Sequence, residues 1–75
     1  MIIKVFGQLV DIIGSNSFKM DDVESTDELI KNIHVKYPAL INSKFKVAVN
    51  RNIVQSETAL QSDSEIALLP PFSGG

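Results

Sequence analysis

Cysteine is absent from the 75 residues of this chain, and so is tryptophan. Without a thiol there is no disulfide staple, no thiolate nucleophile and no cysteine-based zinc site. Histidine occurs once, at His34. No second imidazole can share a metal ion with it, so a place on the surface or at the core edge is expected. Long apolar runs are missing too, since none reaches the roughly 18 residues of a membrane-spanning helix. Neither sign of charge is in large excess. Seven Lys and Arg face nine Asp and Glu, a formal net charge of −2, whereas nucleic-acid binders usually carry a basic face. Length is also scarce: residues 1–75 make one small domain. Such a domain buries only about 60–65% of the surface its unfolded chain exposes, which leaves little room for a deep catalytic pocket. The start, Met1-Ile2-Ile3-Lys4, lacks the basic and apolar regions of a signal peptide. A soluble cytoplasmic domain is therefore expected.

What the chain has is the composition of a folded globular protein, 44% hydrophobic and 21% charged. Ile2 to Phe6 is β-branched and apolar apart from Lys4, which predicts a strand stopped by Gly7. Leu9, Ile12 and Ile13 then recur at helical spacing, predicting one or two helical turns capped by Gly14. A second short strand follows over Ser17 to Met20. Ser25-Thr26-Asp27-Glu28 has the capping-box pattern, with acidic residues where the helix dipole favours them. Leu29, Ile30, Ile33 and Tyr37 continue as one apolar stripe, and Pro38 ends the helix. Phe45 to Val49 alternates like a half-buried strand. Asn50-Arg51-Asn52 turns it back into Ile53-Val54-Gln55 as a hairpin. Glu65 to Leu69 is the last and most apolar strand, so a central position is expected. Four to five strands and one main helix predict an α+β class, with the sheet wrapped around the helix.

Side-chain chemistry is sparse. Asp21, Asp22, Glu24, Asp27 and Glu28 cluster around the helix start, where capping and solvation account for them, and no metal site is expected. Lys44, Lys46 and Arg51 read as a solvated face. The serines have no general base to activate them. Tyr37 and the phenylalanines fall where core residues fall.

The C-terminus differs. From Ile66 to Gly75 no side chain is charged, and the end reads Leu69-Pro70-Pro71-Phe72-Ser73-Gly74-Gly75. The prolines favour extended backbone, stop the last strand and project residues 70–75 as a tail. Phe72 is placed as an interface anchor. Gly74 and Gly75 lack side chains, so they can thread a channel too narrow for any Cβ. The one chemical group delivered there is the terminal carboxylate, an anion at neutral pH and a poor electrophile. Converting it to an acyl-adenylate supplies a leaving group that a sulfur or nitrogen nucleophile can displace.

These features together resemble the ubiquitin-like sulfur-carrier family (MoaD/ThiS), in the branch of molybdopterin synthase small subunits. The likeness rests on Ile3-Lys4-Val5-Phe6-Gly7-Gln8, Ile12-Ile13-Gly14, Ser25-Thr26-Asp27-Glu28-Leu29 and Ala48-Val49-Asn50. It also includes Leu60, Ser62-Asp63-Ser64-Glu65-Ile66-Ala67 and the closing Pro70-Pro71-Phe72-Ser73-Gly74-Gly75. One departure is the Ser62-Asp63-Ser64 turn, where a glycine is common in the family. The resemblance implies a β-grasp (ubiquitin-like) topology. It also implies a non-catalytic small subunit whose Gly75 is adenylated, becomes a thiocarboxylate and donates sulfur to cyclic pyranopterin monophosphate. No bound cofactor is implied, because ATP and magnesium are used by a MoeB-type adenylating enzyme. A sulfurtransferase and a MoaE-type large subunit, in a heterotetramer, complete the implied partners. Pro70, Pro71, Phe72, Ser73 and Gly74 form the partner-binding tail, and an exposed apolar surface for successive partners is expected on the sheet. Alternatives are a carrier for thiamine thiazole or transfer-RNA thiolation, a ubiquitin-like modifier, or a β-grasp interaction module without chemistry.

Overall fold

The first and last strands meet in the middle of one sheet. The computed structural model describes residues 1–71. Its strands are β1 (Ile2–Val5), β2 (Ser17–Lys19), β3 (Lys46–Val49), β4 (Asn52–Val54) and β5 (Ile66–Leu69). They pair in the order β2-β1-β5-β3-β4. β1 and β5 run parallel and the other three pairings are antiparallel. β5 is central, as its apolar sequence predicts. This is the five-stranded mixed sheet of a β-grasp.

The short helix α1 (Leu9–Ile13) ends at Gly14, which holds φ +86° and donates its N–H to the Val10 carbonyl at 2.7 Å. The main helix α2 (Thr26–Lys36) starts at Ser25, whose Oγ accepts from the Glu28 N–H at 3.4 Å. The Glu28 carboxylate reaches back to accept the Glu24 N–H at 3.3 Å, so the box closes one residue earlier than its usual form. α2 stops before Pro38, yet the chain keeps turning. Pro38–Asn42 is a 3₁₀ helix that buries Leu40, an element without a clear periodic signal in so short a stretch.

Alternation along the strands divides the sheet into two faces. Ile3, Val5, Val47, Val49, Ile66 and Leu68 point inward against Leu29 and Ile33 of α2 and against Leu40. Thr26 is buried there too, and its Oγ accepts the Thr58 N–H at 2.9 Å. The Thr26 N–H in turn donates to the Thr58 carbonyl at 2.9 Å, which ties the loop before β5 to the start of α2. At the β3–β4 turn Asn50 and Arg51 hold φ of +50° and +70°, and Asn52 already belongs to β4. The phenylalanines do not all lie in the core. Phe18 is buried with its ring 5.0 Å from that of Tyr37, and Phe45 is half-buried. Phe6 is 47% exposed, because strand parity turns it to the opposite face from Val5.

Candidate functional site

The C-terminal stem leaves the sheet from its central strand. Pro70 follows β5 and is buried, whereas Pro71 is exposed. The Pro70 ring lies against Gly7, whose backbone is left-handed at φ +62°. Pro70, expected as the first residue of a projecting tail over 70–75, is instead a packed part of the domain body. Phe72, Ser73, Gly74 and Gly75 lie outside the described residues.

Beside the stem is the outer face of the sheet, which no helix covers among the described residues. Strand register builds it in rows. Lys4 pairs with Ala67, Ala67 with Ala48, and Ala48 with Ile53. One step along, Leu69 pairs with Lys46, and Phe6 joins Leu69 because its N–H donates to the Leu68 carbonyl at 3.1 Å. The two alanines make the floor low, so Phe6, Ile53 and Leu69 rim a depression of about 360 Å³. At its far end Glu65 stands between two cations, with Lys4 Nζ and Arg51 Nε each 3.7 Å from its carboxylate. The turn holds this corner in place. The Glu65 N–H donates to Asn50 Oδ1 at 2.9 Å, and the Asn50 N–H donates to the Glu65 carbonyl at 2.7 Å. Leu69 thus belongs both to the apolar face and to the strand that becomes the stem.

The outer face of the sheet thus carries an apolar patch at Phe6, Ile53, Ala67 and Leu69. A signal for it was present in the sequence: Phe6 has the same strand parity as Lys4, and Leu69 the same parity as Ala67.

The remaining polar candidates do not gather into a second site. Asp22 accepts an ion pair from the Met1 amino group at 3.2 Å, and Glu28 is engaged in capping. Among the described residues no three His, Asp or Glu side chains come together to hold a metal ion. His34 is half-buried with its ring centre 6.2 Å from that of Phe45. The three basic residues separate: Arg51 pairs with Glu65, Lys44 lines a groove with Pro70 and Pro71, and Lys46 lies by Leu69. Among the described residues no helix is long and apolar enough to cross a membrane. What the described residues offer is an open apolar face beside the point where β5 ends at Pro70-Pro71.

The ThiS family matches residues 3–75, nearly the whole chain. The chain belongs to the ThiS family. Two relatives of this ThiS-family chain are molybdopterin synthase sulfur carrier subunits. The one from Chlamydomonas reinhardtii is 36% identical over 84 residues and covers 100% of both chains. The one from Haemophilus influenzae is 30% identical over 76 residues and covers 93% of each. The fold is also that of small archaeal modifier protein 1. The crystal structure from Haloferax volcanii superposes with a TM-score of 0.80 at 23% identity, over 99% of this chain and 97% of the other. The solution structure from Methanosarcina acetivorans gives 0.79 at 25% identity, over 99% and 94%. The ubiquitin-like β-grasp and the membership in the sulfur-carrier family both stand on these likenesses.

Proposed function

We propose that this chain is the sulfur-carrier small subunit of a molybdopterin synthase. The observation that carries the reading is that the central strand β5 ends at Pro70-Pro71 beside an open apolar face, in a sequence that closes on uncharged residues and two glycines. Membership in the ThiS family and the two relatives named as carrier subunits support it. In this reading the Gly75 carboxylate attacks the α-phosphorus of ATP on a MoeB-type enzyme, and pyrophosphate leaves. Hydrosulfide-level sulfur delivered by a sulfurtransferase then adds to the carbonyl carbon, AMP leaves, and the product is the Gly75 thiocarboxylate. ATP and magnesium belong to the activating enzyme, and the carrier itself holds no cofactor. The charged carrier docks on a MoaE-type large subunit, in a heterotetramer of two small and two large chains. There it yields its sulfur to cyclic pyranopterin monophosphate.

Each part of this chain has one task in that cycle. Gly75 bears the sulfur and Gly74 permits threading through a narrow channel. Pro71, Phe72 and Ser73 span the distance from the body, with Phe72 as an anchor. Phe6, Ile53, Ala67 and Leu69 form the surface gripped first by one partner and then by the other. The cycle takes place in the cytoplasm, and the chain acts as a reagent, with catalysis left to its partners.

Intact mass spectrometry tests the reading. The chain is incubated with the adenylating enzyme, ATP, magnesium and a sulfur donor, and one oxygen is expected to be replaced by sulfur at Gly75. An unchanged mass, under conditions that charge a known carrier, would sink the proposal. Removing Gly75, or adding a residue after it, is expected to abolish sulfur transfer while unfolding stays that of the native chain. The likeness to archaeal modifier proteins favours a second reading, in which the same activated terminus is joined to an amine. A conjugate of higher mass, in place of the thiocarboxylate, would select it.

A further inference from the structure

Among the described residues two glycines hold left-handed backbone, and they do so for different reasons. Gly14, at φ +86°, has nothing within 4 Å of the place its Cβ would occupy. Gly7, at φ +62°, has no such space: a Cβ there would overlap Pro70 Cγ and stand 3.3 Å from Cδ. Conformation alone does not account for glycine at this position, because Asn50 and Arg51 carry side chains at φ of +50° and +70°. What Gly7 supplies is a missing carbon.

The partner in this contact is unusually unyielding. A proline ring is closed onto its own backbone, so beyond a change of pucker it has no rotamer that could swing aside. A side chain at Gly7 therefore presses on the backbone at the start of the stem. Gly7 itself is held on both sides, by the Phe6 N–H to Leu68 carbonyl bond at 3.1 Å and by its own carbonyl, which accepts the Val10 N–H at 3.1 Å. The ring thus sits in a seat formed by the end of β1 and the start of α1, one residue beyond β5.

We infer that the Gly7–Pro70 contact is a positioning device. It sets the direction in which the chain leaves the domain at Pro71, so that a docked carrier presents its terminus to the reaction centre of its partner. This rests on the carrier reading, in which docking and delivery are done by different parts of the chain.

The two glycines provide a matched test. With a MoeB-type enzyme, ATP, magnesium and a sulfur donor, steady-state AMP formation is measured for Gly7→Ala and Gly14→Ala. Both variants put alanine on left-handed backbone, and only the first disturbs the stem. Gly7→Ala is expected to keep KM within about twofold and to lose kcat on the order of 100-fold, the scale of a small misplacement of reacting groups. Gly14→Ala is expected to keep both. Pro70→Ala in the Gly7→Ala background acts on the same contact and is expected to add no further loss, whereas two losses that multiply would count against a shared contact. Wild-type kcat in Gly7→Ala, or a raised KM with unchanged kcat, would overturn the inference.

If Gly7→Ala does not fold, Pro70→Ala alone takes its place. It empties the seat from the other side, and the same fall in kcat at constant KM is expected, with an unchanged kcat counting against the inference. A chain that is never adenylated would end the carrier reading, and the positioning claim then has its own readout. With no native cysteine, Ser73→Cys creates the single thiol for a nitroxide label. The pattern of amide signals that the label broadens is expected to change in Gly7→Ala and not in Gly14→Ala. Identical patterns in the two variants would overturn the inference whatever the chain carries.

Discussion

The two faces of the sheet are built from the same strands, residue by residue in alternation, yet they differ in almost everything else. The inner face is large, branched and closed, with Ile3, Ile66 and Leu68 fully buried under α2. The outer face is low in its middle, apolar at its rim and bordered by charge. Burial of apolar side chains is the main favourable term in folding, and in this chain the inner face carries it. The outer residues are thereby released from holding the domain together. An apolar surface that folding does not need is free to be spent on recognition. The parity of a strand has kept the folding core on one side and left the other side free.

Adjacent residues of β5 sharpen this contrast most. Leu68→Ala, on the inner face, is expected to lose about 3 kcal/mol, because it opens a cavity in a sealed core. A domain of this size has only ~4–11 kcal/mol in total, so urea denaturation will show a large fall in midpoint. Leu69→Ala, on the outer face, is expected to change stability by ~1 kcal/mol or less. It should weaken docking to the adenylating enzyme or the large subunit by about tenfold, as truncation of an interface anchor does, and titration calorimetry can read this. If Leu69→Ala unfolds the domain, or leaves docking untouched, the division of labour between the faces is broken. Ser25→Ala is a smaller inner-side change: losing the α2 cap is expected to lower stability by ~1 kcal/mol without altering docking. Arg51→Ala is the mildest. Its exposed pair with Glu65 is expected to contribute no more than ~0.5 kcal/mol to folding. Its loss should appear instead as a changed, salt-dependent association rate, which stopped-flow mixing can follow.

Local chemistry made some of this legible in the sequence. Ser25 and Glu28 mark the start of α2, the Leu29-to-Tyr37 stripe its buried side and Pro38 its end, all within one stretch of chain. Gly14 announced the end of α1 in the same way, and the apolar run of Ile66 to Leu69 pointed to a central strand. Pairing was less accessible. Nothing near Ile3 says that its neighbour is Ile66, because parallel pairing across so long a connection has no local signal and is settled by tertiary burial. The burial of Pro70 is of this kind as well: it depends on a glycine at the other end of the sequence. The exposure of Phe6 was within reach, since alternation from Ile3 and Val5 turns it outward. Aromatic character suggested core, and strand parity decided otherwise. The chemical end of the candidate site, at Gly74 and Gly75, was read from composition and lies outside the described residues.

The central place of β5 has a consequence for how the molecule is made. The strand that joins β2-β1 on one side to β3-β4 on the other is the last of the five to leave the ribosome. Until Leu69 has been synthesised, the two halves share no ladder and the core cannot close. A chain broken off before that point has neither a sealed core nor a complete outer face. Folding therefore waits on synthesis: only chains read through β5 can form both faces of the sheet.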